Sequence, residues 1–311
     1  MNPSPDEITG TGYLHPRDPA EIWLARQWQD VLGFAVGIQE NFFGVGGNSL
    51  DAARVIDAVL VEFGIQLPLN VLTEHPTIER LATLLRDHAE PLSGPLITIQ
   101  DGDGTRPPLF LIHPDNGQAS PYCALASALG EEYTVSAIQA AGLYTGAEPR
   151  RTVPAMAAAY LATIRAARPA GPYLLGGAGT GAAIAYEIAT RLDDVRLLAA
   201  IDTGLLQPPA TITGTWLPEP PRQQDLPQIL ASWQQHDLVP PGTAPEFVTR
   251  SLHVTRANQD AIRDWHPSPY SGPLDIFGQP PATTLPTTVT QRTHQCHTDR
   301  DLADALRKLL D

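Results

Sequence analysis

Three places in the 311-residue chain hold residue types that do chemistry when a fold presents them. The first is Gly46-Gly47-Asn48-Ser49-Leu50, a hydroxyl behind two glycines at the start of helix-forming sequence. Read locally, Ser49 is a helix cap, since Ser and Asn oxygens accept the amide hydrogens that a first turn leaves unpaired. The second is the run from Tyr173 to Ala189, in which an apolar stretch stops at Gly176, Gly177, Gly179 and Gly181 and turns at once into helix-forming residues. That is a strand, a tight turn and a helix whose free N–H groups point at whatever binds there. It fits a dinucleotide fingerprint, Gly177-x-Gly179-x-x-Ala182, with Asp202 about twenty residues on to hold a ribose. It equally fits the nucleophile elbow G-x-S-x-G as Gly177-Ala178-Gly179-Thr180-Gly181, with glycine where the serine belongs. The third is His294-Gln-Cys296-His297, two imidazoles able to serve as a base.

Cys123 and Cys296 are the two cysteines. H-x-C-H is too tightly spaced for an ordinary zinc site, and without a CxxC pair neither a structural zinc nor a disulfide framework is supported. Cys123 falls in a helical pattern and reads as a buried structural thiol rather than a substitute nucleophile.

These residues need elements to position them. A net charge of −14, with Lys308 the only lysine, argues against a nucleic-acid footprint, which needs clustered Lys and Arg. Partners are therefore other proteins or small molecules, not nucleic acid. No apolar run approaches membrane-spanning length and the N terminus lacks a signal-peptide order, so a cytoplasmic protein is expected, without membrane contact.

Residues 1–16 are polar and aperiodic and read as a linker. Asp18-Pro19 starts a helix with Ile22, Ala25, Trp28 and Val31 at helical spacing, and Asn48-Ser49 starts another that ends at Gly64. A short helical turn from Pro68 to Glu74 and a last helix after Pro76 complete a small all-α four-helix bundle over 17–90. Residues 91–108 form a boundary, with Leu96 to Gln100 as a candidate first strand. From Leu109 onward strands and helices alternate, which predicts a mostly parallel sheet covered by helices, with its site at the carboxyl ends of the strands. Three such ends carry His113-Pro-Asp115-Asn116-Gly117, Gly179 and Asp202. Residues 204–270 break the alternation with prolines, three tryptophans and amphipathic pieces at 226–233 and 247–265, as a helical lid insertion would. Strand Leu274 to Phe277 resumes the sheet, His294 to His297 fall on a loop, and Asp301 to Leu310 closes the domain over 109–311.

The stretch Phe42-Phe43-x-x-Gly46-Gly47-Asn48-Ser49-Leu50, with Phe63-Gly64-x-x-Leu67-Pro68 and His75-Pro76-Thr77-Ile78, resembles the peptidyl carrier domains of nonribosomal peptide synthetases. The resemblance implies a 4'-phosphopantetheine arm on Ser49, placed there by a phosphopantetheinyl transferase. It also implies a peptidyl thioester on that arm and upstream condensation and adenylation domains.

Residues 108–310 resemble the type I thioesterases that end such synthetases, which are α/β-hydrolases. The resemblance is carried by Pro108-Leu-Phe-Leu-Ile-His-Pro114, by Arg168-Pro169-x-Gly171-Pro172-Tyr173-Leu-Leu-Gly176-Gly177, by Ala185-Tyr186-Glu187, by Ile201-Asp202 and by Pro269-Tyr270-x-Gly272. It implies a Ser-Asp-His triad with the nucleophile position on Gly179, the acid on Asp202 and the base on His294, with His297 in reserve. It further implies an oxyanion hole from the amide of Thr180 and one near Asp115-Asn116, and release by hydrolysis or macrocyclisation. Gly179 has no atom that can form an acyl enzyme, so the chain is expected to be inactive at its nucleophile, through a replaced serine or a naturally degenerate site. The competing readings are a non-catalytic acyl-carrier docking domain and a nicotinamide-dependent reductive release domain.

Overall fold

The computed structural model describes residues 13–86, 94–144, 147–202, 223–278 and 290–310. Residues 1–12 of the linker expected at 1–16, residues 87–90 of the expected bundle, residues 91–93 of the boundary expected at 91–108 and residues 204–222 of the expected lid, Trp216 included, lie outside them. The chain forms two compact units, Met1–Gly94 and Pro95–Asp311.

Among its described residues the first unit holds four helices, α1 (Pro19–Leu32), α2 (Ser49–Phe63), α3 (Val71–Glu74) and α4 (Ile78–Leu85). Asp18 accepts the Glu21 amide at the start of α1, which ends on a left-handed Gly33. Asn48 and Asp51 close a capping box at the start of α2, and Gly64 ends it in the same left-handed way. Trp28 packs edge-on to Phe42 at 4.7 Å, at the centre of a core that also takes Leu24, Val59, Leu72 and Leu81. Beside the core, Glu21 is fully buried and paired with Arg17 at 2.7 Å and Arg86 at 3.0 Å. Burial pushes its carboxyl above the usual range, against the pull of Arg17.

The second unit is built on a seven-stranded sheet of β1 (Leu96–Gln100), β2 (Leu109–Ile112), β3 (Val135–Ile138), β4 (Tyr173–Ala178), β5 (Val195–Ile201), β6 (Leu274–Phe277) and β7 (Gln291–His294), in the order β1-β3-β2-β4-β5-β6-β7. All pairs are parallel except β1 with β3. The candidate first strand is thus a true strand, added antiparallel at one edge. Every second residue, Phe110, Ile112, Leu175, Leu198 and Ile276 among them, enters one core cluster with α6 (Val153–Ala167) and α7 (Thr180–Ala189). Helices α5 (Cys123–Leu129) and α10 (Asp299–Leu310) pack on each other. Cys123 is buried in α5, as a structural thiol should be.

The lid pieces are α8 (Leu226–Gln235) and α9 (Pro245–Arg263). Trp233, Phe247, Val248 and Leu252 join Leu143 in a separate apolar cluster. One expectation is corrected here. His294 does not lie on a loop but ends β7, because Gln291 to His294 pairs in register with Leu274 to Phe277. The polar sequence of that strand hid it from periodicity.

Candidate active site

Strand β4 ends at Ala178, and Gly179 turns the chain into α7 with φ 54° and ψ −123°. Only glycine takes this turn without strain, and it is the backbone a nucleophile elbow needs. The neighbouring glycines serve packing. A Cβ on Gly177 would lie 2.4 Å from the Gly181 carbonyl, and one on Gly181 would lie 2.3 Å from Ile112 O.

The elbow is pinned from below by Tyr122. Its fully buried hydroxyl donates to Ile112 O at 2.6 Å and accepts the Ala178 amide at 2.9 Å. Burial pushes this phenol well above its usual range, so it stays a neutral bridge. His113 is equally committed. Its Nδ1 lies 2.9 Å from Pro114 O and its Nε2 2.9 Å from the Tyr160 hydroxyl, and burial pushes the imidazole down to about 4. Both ring nitrogens are engaged, so His113 supports the loop rather than acting as a base.

The loop after His113 is where the residues depart from expectation. Thr180 donates its amide (2.8 Å) and its hydroxyl (2.5 Å) to Oδ1 of Asp115. The amide expected in the oxyanion hole is therefore held by a carboxylate. A Cβ built on Gly179 would lie 2.7 Å from that same oxygen. Asn116, expected as an oxyanion residue, is buried and its side chain bonds Gln118, accepting the Gln118 amide at 3.0 Å. From the lid side, Asn258 of α9 donates to Asp115 O at 2.9 Å.

The other site positions line up along the carboxyl edge of the sheet. Ala178, Ile201, Phe277 and His294 form one row across β4, β5, β6 and β7. Gly179 and Asp202 are each one residue beyond that row. Asp202 donates its amide to Phe277 O at 2.9 Å. Asp202 is the expected acid, and Nε2 of His294 lies 2.8 Å from Oδ1 of a different carboxylate, Asp275. Strand parity explains this. His294, Phe277 and Asp275 share one face of the pleat, whereas Asp202 follows Ile201 and falls on the other parity. Asp275 is fully buried and also accepts Arg292 through Nε at 2.8 Å and Nη2 at 2.5 Å, which raises the guanidinium's affinity for its proton. His297 is exposed and gives its backbone amide to Asp301 at 3.0 Å, which helps hold that carboxyl below its usual range. Cys296 is buried, and burial raises its thiol.

In the first unit Asn48 accepts the amides of Leu50 and Asp51 at 2.8 and 3.1 Å, so Asn48, not Ser49, is the cap. Ser49 is the exposed first residue of α2, and its hydroxyl sits at the positive end of the helix. This fits a phosphodiester, for which the helix field is favourable. Gly47 is fixed by packing instead, since a Cβ there would meet the Phe42 ring at 2.6 Å.

Two family matches cover these units: residues 107–310 match the thioesterase domain and residues 23–85 the phosphopantetheine attachment site. The chain is 33% identical over 208 residues to a dimodular nonribosomal peptide synthase of Bacillus subtilis, covering 64% of this chain and 9% of that protein. It is 31% identical over 280 residues to malpinin synthetase of Mortierella alpina, covering 85% of this chain and 4% of that protein. It thus spans only a small part of these synthetases. The crystal structure of a four-domain nonribosomal peptide synthetase, holo-AB3403 bound to AMP and glycine, superposes with a TM-score of 0.76 at 26% identity, covering 97% of this chain and 26% of that one. The NocB thioesterase domain shares the fold of the second unit, with a TM-score of 0.50 at 23% identity, covering 69% of this chain and 99% of that one. With the elbow at Gly179 and the helix start at Ser49 each falling inside its matched region, the chain belongs to the thioesterase-domain family and carries a phosphopantetheine attachment site ahead of that domain.

Proposed function

We propose that the chain is the terminal carrier and release unit of a nonribosomal peptide synthetase. Ser49 carries 4'-phosphopantetheine, whose thiol holds the peptidyl thioester, and the second unit receives the acyl group at the carboxyl edge of its sheet for hydrolysis or macrocyclisation. The observation that carries this reading is the elbow backbone at Gly179, following an attachment site in the same chain. Condensation and adenylation domains upstream and a phosphopantetheinyl transferase are the implied partners, in the cytoplasm. His294 serves as the base, oriented by Asp275, with Asp202 at the neighbouring strand end and His297 in reserve. No described helix is long and apolar enough to cross a membrane.

The acyl-serine route is closed at Gly179. Loss of a triad nucleophile leaves on the order of 10³ to 10⁴-fold catalysis over water. The occupied Thr180 amide favours a second reading, a domain that docks the loaded carrier without transferring its acyl group. The test is to treat the chain with a phosphopantetheinyl transferase and dipeptidyl-coenzyme A, then follow the intact mass. One acyl-phosphopantetheine should add to the wild type and none to Ser49→Ala. Equal masses for the two would defeat the carrier reading.

A further inference from the structure

The space that a side chain at Gly179 would take is filled. The Asp115 carboxylate lies over Gly179, with Oδ1 2.7 Å and Oδ2 3.1 Å from where a Cβ would stand. Oδ1 is anchored by the amide and hydroxyl of Thr180. Oδ2 accepts no hydrogen bond among the described residues, while Asn258 of the lid holds the Asp115 backbone from behind. A helix cap accounts for Oδ1 alone. It does not account for a second carboxylate oxygen presented over a residue that must lack a side chain for it to be there.

The geometry points to Asp115 as a second catalytic group of this site, one that replaces the closed serine–His294 route with a general base that lets water attack a thioester directly, with no acyl enzyme. This rests on the thioesterase reading of the second unit. Oδ2 takes a proton from water as the water oxygen bonds to the thioester carbonyl carbon. The C–S bond then breaks, and the thiolate leaves with the proton returned by Asp115. The products are a carboxylic acid and a free thiol, and no other reactant is consumed. The carboxylate occupies the space into which a side chain at position 179 would project.

The test uses the full chain and a soluble N-acetylcysteamine thioester of a dipeptide, so that it does not depend on loading Ser49. Wild type should release thiol above the buffer rate, and Asp115→Asn should lower that rate by about 10²- to 10⁴-fold, the usual contribution of a positioned base. Asparagine keeps an acceptor for Thr180, so an unchanged melting temperature separates lost chemistry from a lost cap. Wild type indistinguishable from buffer, or Asp115→Asn as fast as wild type, would overturn the proposal.

A fluorophosphonate probe isolates the underlying reading. The double variant Gly179→Ser with Asp115→Ala should be labelled at position 179, at least about tenfold faster than Gly179→Ser alone, in which the carboxylate blocks the new side chain. Labelling of the double variant with an inert wild type would keep the thioesterase site and discard Asp115 as its base. Equal labelling of the two variants would show that the carboxylate does not fill the serine's place.

Discussion

Phe277 and His294 stack face to face across β6 and β7, with ring centroids 4.7 Å apart and planes 15° from parallel. The stack fixes the plane of the imidazole, and Asp275 fixes its rotation through Nε2. Nδ1 makes no hydrogen bond among the described residues, so it is the nitrogen left for chemistry. Asp275→Asn should lower stability by about 1.5–3 kcal/mol, the range for hydrogen bonds to a charged group. It should also move the His294 ring ¹⁵N resonances. Unmoved resonances would show that the bond does not orient the ring.

Tyr122→Phe removes one oxygen that serves both Ile112 and Ala178. It leaves a buried amide without its acceptor one residue before the elbow, at a cost of about 1–3 kcal/mol. Urea denaturation of the variant reads the loss, and hydrogen exchange at Ala178 should rise with it.

Gly181→Ala forces a methyl group to within 2.3 Å of Ile112 O and 2.5 Å of His113 O, both backbone atoms that cannot step aside. Overpacking of this kind costs about 1–3 kcal/mol, occasionally more. Gly33→Ala meets no atom within 4 Å, so it carries only the left-handed backbone penalty of about 1–2 kcal/mol. Thermal melts of both variants should separate crowding, which falls on the second unit, from backbone strain, which falls on the first.

Acid should loosen the second unit through His113. Its folded pKa of about 4 lies below the ordinary 6.5, so between these values the unfolded chain binds a proton that the native site refuses. Stability therefore rises with pH across that window, is fully present above 6.5 and is lost as pH falls toward 4. A shift from 6.5 to about 4 corresponds to about 3 kcal/mol. His113→Gln should flatten the pH dependence of unfolding between pH 7 and 4 relative to wild type. An equally steep variant would assign the acid loss to other groups.

Much of this architecture was written in local pattern. The cap-to-glycine spans of α1 and α2, the apolar strands β2, β4 and β5 and the elbow after Leu175 all announce themselves, because small residues and helix starts act within a few positions. Strand β7 did not, since Gln-Arg-Thr-His has no apolar alternation and is held by pairing with β6. Asp275 sits in an apolar run and looked like a strand residue. A lone acid inside a buried strand, with Arg292 and His294 two apart on the next, was the signal that could have exposed it. Asp115 was legible only as a residue of the loop after β2, because its place over Gly179 depends on space left by a residue 64 positions away.

The separation of Asn48 from Ser49 has a further consequence for the carrier unit. Because the amides of α2 are capped by the amide side chain, the hydroxyl owes nothing to the helix and can be esterified without loosening its first turn. Empty, armed and loaded carriers then share one backbone. A partner enzyme is then expected to tell these states apart by the arm and its cargo, since the cap of the helix beneath them does not involve the modified hydroxyl.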